Sequence, residues 1–208
     1  MKIGIIGAGY VGRSLAAAAV NAGHEAMLSN SRGPQSLYSE SAIIRCKAGT
    51  TEEAAAFGDL VVVAVTMKHY KAVPVAPLEG KIVIDTNNYY GARDDGLPEL
   101  ASKSTTSSEL LARHLPASKI VKAFNAILMP DFDRDGRPTG ARDRRALPIA
   151  GDDAEAKRVV TGLQDEFGFD TVDVGPLSEG WRFEPGTPVY CIRLNRDWIT
   201  RALAEATR

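Results

Sequence analysis

The first 22 residues constrain the fold more than any other part of the chain. An apolar run, Lys2 to Ile6, leads directly into Gly7-Ala8-Gly9-Tyr10-Val11-Gly12, and an alanine-rich stretch of helical pattern follows to Ala22, with Gly23 as its C-terminal cap. A GxGxxG sequence placed between a strand and a helix opens a dinucleotide-binding βαβ unit. Gly7 permits the tight turn, Gly9 lets the backbone approach a pyrophosphate, and Gly12 lets helix and strand touch. The helix start then offers free amides and a partial positive charge to phosphate.

Short aliphatic runs recur along the rest of the chain: Ala26 to Ser29, Ile43 to Lys47, Leu60 to Val65, Lys81 to Asp85, Ile120 to Phe124, Leu147 to Ala150 and Thr171 to Val174. They lack strict polar alternation, as strands covered on both faces do, and helical patterns separate most of them. The expected fold class is α/β, a Rossmann-type doubly wound parallel sheet with a small C-terminal α/β lobe. Thr50 with Glu53, Thr106 with Glu109 and Asp152 with Glu155 read as helix starts.

Asn87 to Thr105 and Pro130 to Arg145, rich in Gly, Pro and charge, read as loops. The second marks the expected boundary between a lobe over residues 1–129 and a smaller lobe over residues 130–208. Pro188 to Ala206 reads as a terminal helix, its Val189, Ile192, Ile199 and Leu203 stripe flanked by Tyr190, Leu194 and Trp198. That arc is wide for one neighbour, so a homodimer is expected, the other reading being that both sides of the arc pack within one subunit.

With 25 Lys plus Arg against 26 Asp plus Glu, the chain has no electrostatic footprint for nucleic acid. Cys46 and Cys191 form no CxxC pair, so no disulfide framework or metal site is suggested and a reducing, cytoplasmic home fits. Glycines interrupt the N-terminal apolar run, and Leu60 to Val65 is too short to cross a bilayer.

The end of the second strand bears on which dinucleotide is bound. Sites for NAD place a carboxylate there; this chain has Ser29-Asn30-Ser31-Arg32. Ser31 and Arg32 can donate to a 2′-phosphate that an acid would repel, which favours NADP(H). The other reading makes Asn30 to Gly33 a polar turn and Arg32 a solvated charge. No Tyr has a Lys four positions later, so the acid/base pair of short-chain dehydrogenases is missing. His69 follows a strand's C-terminal end, where ligands sit in such sheets, although a solvent-exposed loop position reads equally well. The chain is also too short for the large helical domain that supplies a catalytic Lys in β-hydroxyacid dehydrogenases.

Together, Gly7-Ala8-Gly9, Ser31-Arg32, Lys122-Ala123-Phe124-Asn125, Ala150-Gly151-Asp152-Asp153 and Val174-Gly175-Pro176-Leu177 resemble the NADPH-dependent reductases of coenzyme F-420, the deazaflavin carrier. The pattern is also similar to the NADPH-binding reductase domain of metalloreductases. The resemblance runs nearly end to end and implies a deazaflavin or flavin pocket between two lobes. Three positions depart from it: Ala126 stands where the family commonly has Thr, Thr66-Met67-Lys68 lacks a Pro, and Gly33 to Ser36 supplies no second basic residue. Trp181 and Phe183 read either as ring-stacking groups or as core.

The expected activity is hydride transfer between NADPH and a small-molecule redox acceptor, a deazaflavin or flavin, in which positioning matters more than acid/base groups. Gly7, Ala8, Gly9, Tyr10, Val11 and Gly12 are expected at the pyrophosphate. Asn30, Ser31 and Arg32 are expected at the 2′-phosphate, and Thr66, His69 and Asn125 at the nicotinamide. Asn125 and His69 are the positioning candidates. The rivals are a non-catalytic NADPH-binding or redox-sensing module and an NADPH-dependent flavin or ferric reductase.

Overall fold

The computed structural model describes all 208 residues, Met1–Arg208. Eight strands form one sheet in the order β3-β2-β1-β4-β5-β6-β7-β8. They are β1 (Lys2–Ile6), β2 (Glu25–Ser29), β3 (Lys47–Gly49), β4 (Leu60–Val63), β5 (Ile82–Asp85), β6 (Lys119–Lys122), β7 (Ala146–Gly151) and β8 (Asp170–Asp173). From β3 to β6 every pairing is parallel. β7 then runs antiparallel to β6, and β8 parallel to β7. This mostly parallel sheet with helices on its faces is the Rossmann-type fold the alternation predicts.

Eight helices cover the sheet: α1 (Tyr10–Asn21), α2 (Tyr38–Ile44), α3 (Thr51–Phe57), α4 (Pro98–Ala101), α5 (Ser107–His114), α6 (Met129–Asp135), α7 (Ala154–Glu166) and α8 (Arg196–Glu205). Side chains of consecutive strand residues point to opposite faces, so one strand feeds two cores. Ile5, Val62, Ile84 and Val121 join Leu15 and Val160 in one. Ile6, Val61, Val63 and Val83 join Leu110 and Leu111 in the other. A third, smaller core gathers Ala146, Ala150 and Phe183 with Ile199 and Leu203 of α8.

Local chemistry explains most boundaries. Thr50 and Thr106 accept from the backbone N–H of Glu53 and Glu109, whose carboxylates reach back to the capping residue's own N–H. Gly23 follows α1 with φ 85°, and its N–H donates to Val20 O. At α7 the cap is Asp153 rather than Asp152, one residue later than the sequence suggests. Asp152 instead accepts from the Leu177 N–H.

Three expectations are corrected. Ile43 and Ile44 end helix α2 instead of opening a strand; Arg45, at φ 64°, turns the chain, and β3 starts at Lys47. The stretch from Pro130 contains most of helix α6, which buries Met129 and Phe132 in the core and is tied by ion pairs. Arg134 pairs with Asp131 at 2.6 Å, and the fully buried Arg145 pairs with Asp135 at 2.8 Å. The terminal helix begins only at Arg196, so Val189, Tyr190 and Ile192 lie in a preceding turn and the wide apolar arc does not exist as one helix face. No helix is long and apolar enough to cross a membrane.

Candidate functional site

Strand order reverses between β1 and β4, and at a reversal the connections leave a crevice beyond the strands' carboxyl ends. Two adjoining hollows of about 470 and 490 Å³ lie there. Both are bordered by Gly9, Ala64, Val65 and Thr66, so they form one cleft with a seam.

The glycines of the first turn have separate physical roles. Gly7 sits at φ 111°, and a Cβ there would lie 2.1 Å from Ala64 O. A Cβ on Gly12 would lie 1.8 Å from Gly7 O, so this glycine is what lets α1 approach β1. At Gly9 the position of a Cβ has no atom within 4 Å and opens onto the cleft. Gly9 is also the N-cap of α1, with no side-chain hydrogen bond and no acidic residue in the first turn. Helices α3, α5, α7 and α8 are all capped by side chains. Helices α2, α4 and α6 also lack a side-chain cap; what marks α1 is that its start at Gly9 borders both hollows, where an anion fits its orphan amides on both hydrogen bonding and dipole.

On the first side of the seam lie Gly7, Ala8, Asn30, Ser31, Arg32 and His69. Asn30 Oδ1 accepts from the Arg32 N–H at 2.9 Å, an Asx turn that fixes the backbone, while the Arg32 side chain is exposed and unpaired in the protein. Thr51, at the start of α3, borders the same hollow and was missed by sequence reasoning. The structure separates the three residues expected at the nicotinamide. His69 joins Arg32, Asn125 lies on the other side, and Thr66 stands at the seam. Tyr10 and Val11 border the second side, and Gly12 is buried in the α1–β1 contact.

The second side is made of side chains. Asn87, Asn88, Tyr90 and Arg93 follow the carboxyl end of β5; Asn125 follows β6; Tyr190 and Cys191 come from the turn before α8. Asn125 Nδ2 donates to Asn88 Oδ1 and to Phe183 O, both at 3.0 Å, while its Oδ1 is buried without a partner. Phe124 and Cys191, both at φ 58°, flank this hollow in a conformation that L residues seldom adopt. The loop after β5 is tightly tied. Buried Asp94 accepts from the Tyr90 N–H and from Arg93, whose Nη2 also donates to Asn88 O at 2.8 Å. Burial would raise the Asp94 carboxyl, but these bonds outweigh it and hold it below the usual range. The position of Asn87 to Tyr90 after a strand's carboxyl end was the available sequence signal for this half.

Beneath Asn125 lies a buried charge network. Lys122 Nζ donates to Asn87 O at 3.1 Å and Ser107 Oγ at 2.8 Å, and pairs with Glu184 at 3.0 Å. Ser108 Oγ donates to Asp85 Oδ2 at 2.5 Å. Burial pushes the Asp85 carboxyl up against the pull of Lys122. Glu184 is also pushed up by burial, but Lys122 and Ser107 overcome this and lower it. Phe183 is fully buried core, and Trp181 stacks with Arg182 away from the cleft.

Comparison with known proteins agrees with this geometry. Residues 2–89 match the profile of a family described as NADP oxidoreductase, coenzyme F420-dependent. Over 191 residues, 88% of the chain, the sequence is 31% identical to metalloreductase STEAP3 of Rattus norvegicus and covers 36% of that protein. The chain spans between about a third and a half of the curated relatives it matches. The crystal structure of the hypothetical protein SMa0349 from Sinorhizobium meliloti aligns with a TM-score of 0.79 at 31% identity, covering 95% of this chain and 96% of that one. A protein from Arthrobacter sp. FB24, described provisionally as an F420-dependent NADP reductase, aligns with a TM-score of 0.70 at 26% identity over 85% of each chain. With an uncapped α1, a Ser-Arg pair in place of the acid, a matching profile over residues 2–89 and structural likeness across nearly its whole length, the chain is similar to the coenzyme F420-dependent NADP oxidoreductases.

Proposed function

We propose that the protein transfers hydride between NADPH and a deazaflavin, coenzyme F-420, or a flavin. The observation that carries this reading is the seam. One cleft has a backbone-lined half suited to a dinucleotide and a side-chain-lined half large enough for a second ligand, and they meet at Gly9 and Thr66. When bound, NADPH supplies the hydride.

The rest is done by this chain's residues. The α1 amides at Tyr10 and Val11, beside Gly9, hold the pyrophosphate. Ser31 and Arg32 hold the 2′-phosphate, with the unpaired guanidinium free to fork onto it. His69, on the same side, serves the phosphate and ribose portion. Asn125, fixed by Asn88 and Phe183, orients the ligands across the seam. The family profile and the Arthrobacter relative support deazaflavin as acceptor; the likeness to a rat metalloreductase supports a metal acceptor as the alternative.

The experiment is stopped-flow oxidation of NADPH against deazaflavin, FMN, FAD and ferric chelates. Deuterium from the nicotinamide should appear on the reduced deazaflavin ring carbon and not in water. Tight NADPH binding with no oxidation by any acceptor would instead establish a binding module.

A further inference from the structure

The second half of the cleft holds hydroxyl chemistry that no local sequence pattern shows. Tyr90 and Tyr190, one hundred positions apart, are hydrogen-bonded through their hydroxyls at its wall. Asn88 Nδ2 donates to Tyr190 Oη at 3.4 Å and to Asn125 O at 2.9 Å. Either phenol can donate in this pair; when Tyr190 donates to Tyr90, the Tyr90 proton is the free end of the chain. Tyr90 is 38% exposed, and the Arg93 guanidinium lies 4.6 Å from its ring centroid. That cation packs on the ring face and fixes the ring in place. Tyr190 is the more enclosed member; burial and its bond to Tyr90 push its phenol well above the usual tyrosine range, so it stays a donor. Arg93 is itself held by Asp94 and Asn88 O, so the assembly is built in place before any ligand arrives.

We propose that Tyr90 and Tyr190 form a two-phenol relay that delivers the proton accompanying hydride transfer to a nitrogen or oxygen of the acceptor. This rests on the reading above that a conjugated acceptor occupies this half. Hydride from reduced nicotinamide adds to an electrophilic carbon, and the displaced π pair moves to the conjugated heteroatom. The Tyr90 O–H bond breaks as the heteroatom–H bond forms. In the same step the Tyr190 proton passes to Tyr90, so no phenolate is left at Tyr90, and Tyr190 regains its proton from water in the cleft. The acceptor gains a hydride and a proton, and nicotinamide is the group oxidised. The acceptor therefore presents a nitrogen or oxygen toward Tyr90, beside the carbon it reduces or conjugated with it.

The test uses the full chain with NADPH and four acceptors: a deazaflavin, FMN, a small carbonyl and a cyclic imine. Tyr90→Phe should lower kcat by about a hundredfold with the KM for NADPH unchanged, a general acid being worth roughly 10²–10⁴ in rate. In mixed H₂O and D₂O the wild type should show a bowed proton inventory, the sign of two protons in flight, and Tyr190→Phe should straighten it. Without NADPH, calorimetry should find oxidised deazaflavin bound about three- to tenfold more weakly by Tyr90→Phe, the loss of one neutral hydrogen bond. Turnover of Tyr90→Phe at the wild-type rate, or a linear inventory in the wild type, overturns the relay. If only the carbonyl or imine is reduced, the ring-acceptor reading falls and the relay is judged on that substrate. If wild type reduces none of the four, the relay falls with it.

Discussion

The two halves of the cleft are built from different material. The first is backbone and small residues, Gly7 to Gly9 and Asn30 to Arg32, with its geometry set by one turn and one uncapped helix start. The second is side chains from four distant segments, resting on a buried network around Lys122. A backbone surface is encoded in a few adjacent residues, while a side-chain surface exists only once the sheet has brought its segments together. The first half should therefore fail through single local changes that spare the fold. The second should fail through changes that also cost stability.

The sharpest way to separate them is at Gly9. Gly9→Val should remove detectable NADPH binding in calorimetry while the ligand-free melting temperature stays within a few degrees, because the new side chain enters open cleft. A collapse of stability would make Gly9 a packing glycine like Gly12. Next comes the floor of the second half. Lys122→Met strands Glu184 and leaves Ser107 and Asn87 O without their donor, so denaturant titration should show a loss of about 3–5 kcal/mol. NADPH affinity of the folded fraction should barely move. A loss under about 1 kcal/mol would mean that the network is dispensable and the contrast drawn above too strong.

A smaller effect is expected at Arg32. Arg32→Ala should weaken NADPH by about ten- to a hundredfold, as one charge-assisted hydrogen bond is lost, and leave NADH unchanged. Equal affinities for the two dinucleotides in the unaltered protein would remove the 2′-phosphate assignment.

The smallest is a pH effect within the second half's support. Asp85 has a raised carboxyl in the folded state, so its contribution to stability falls as pH climbs through that raised value. Glu184 is lowered, so its contribution is complete above the usual carboxylate range and is withdrawn as pH falls through the depressed value. Asp85→Asn cannot ionise. Relative to wild type it should gain stability in denaturant titrations as pH rises above the ordinary carboxylate range, and a pH-independent difference would show that Asp85 does not titrate with a raised value.

The sequence was legible where order is local. Parallel strands declare themselves by continuous Val and Ile, and capping pairs such as Thr50 with Glu53 mark helix starts to the residue. It misled where stability comes from charge or from a single dihedral. Helix α6 anchors through only Met129 and Phe132 while Arg134 and Arg145 hold its aspartates, and Arg45 in the left-handed region ends the helix that Ile43 and Ile44 close. Within the cleft, the glycine turn and the Ser31-Arg32 pair could be read directly. The association of Tyr90 with Tyr190 could not, since nothing at either position refers to the other until β7 and β8 have folded back.

That reversal at β7 has a consequence in time. The residues bordering the first half are all made by Val73, and the sheet that supports them is complete through β6 by Lys122. The second half waits for Phe183 to reach Asn125 and for the Cys191 N–H to reach Ala126 O. At elongation rates of about 5–20 residues per second, that wait lasts several seconds on the ribosome. On the proposed reading, the nascent chain would be able to hold its hydride donor before it has anywhere to send the hydride.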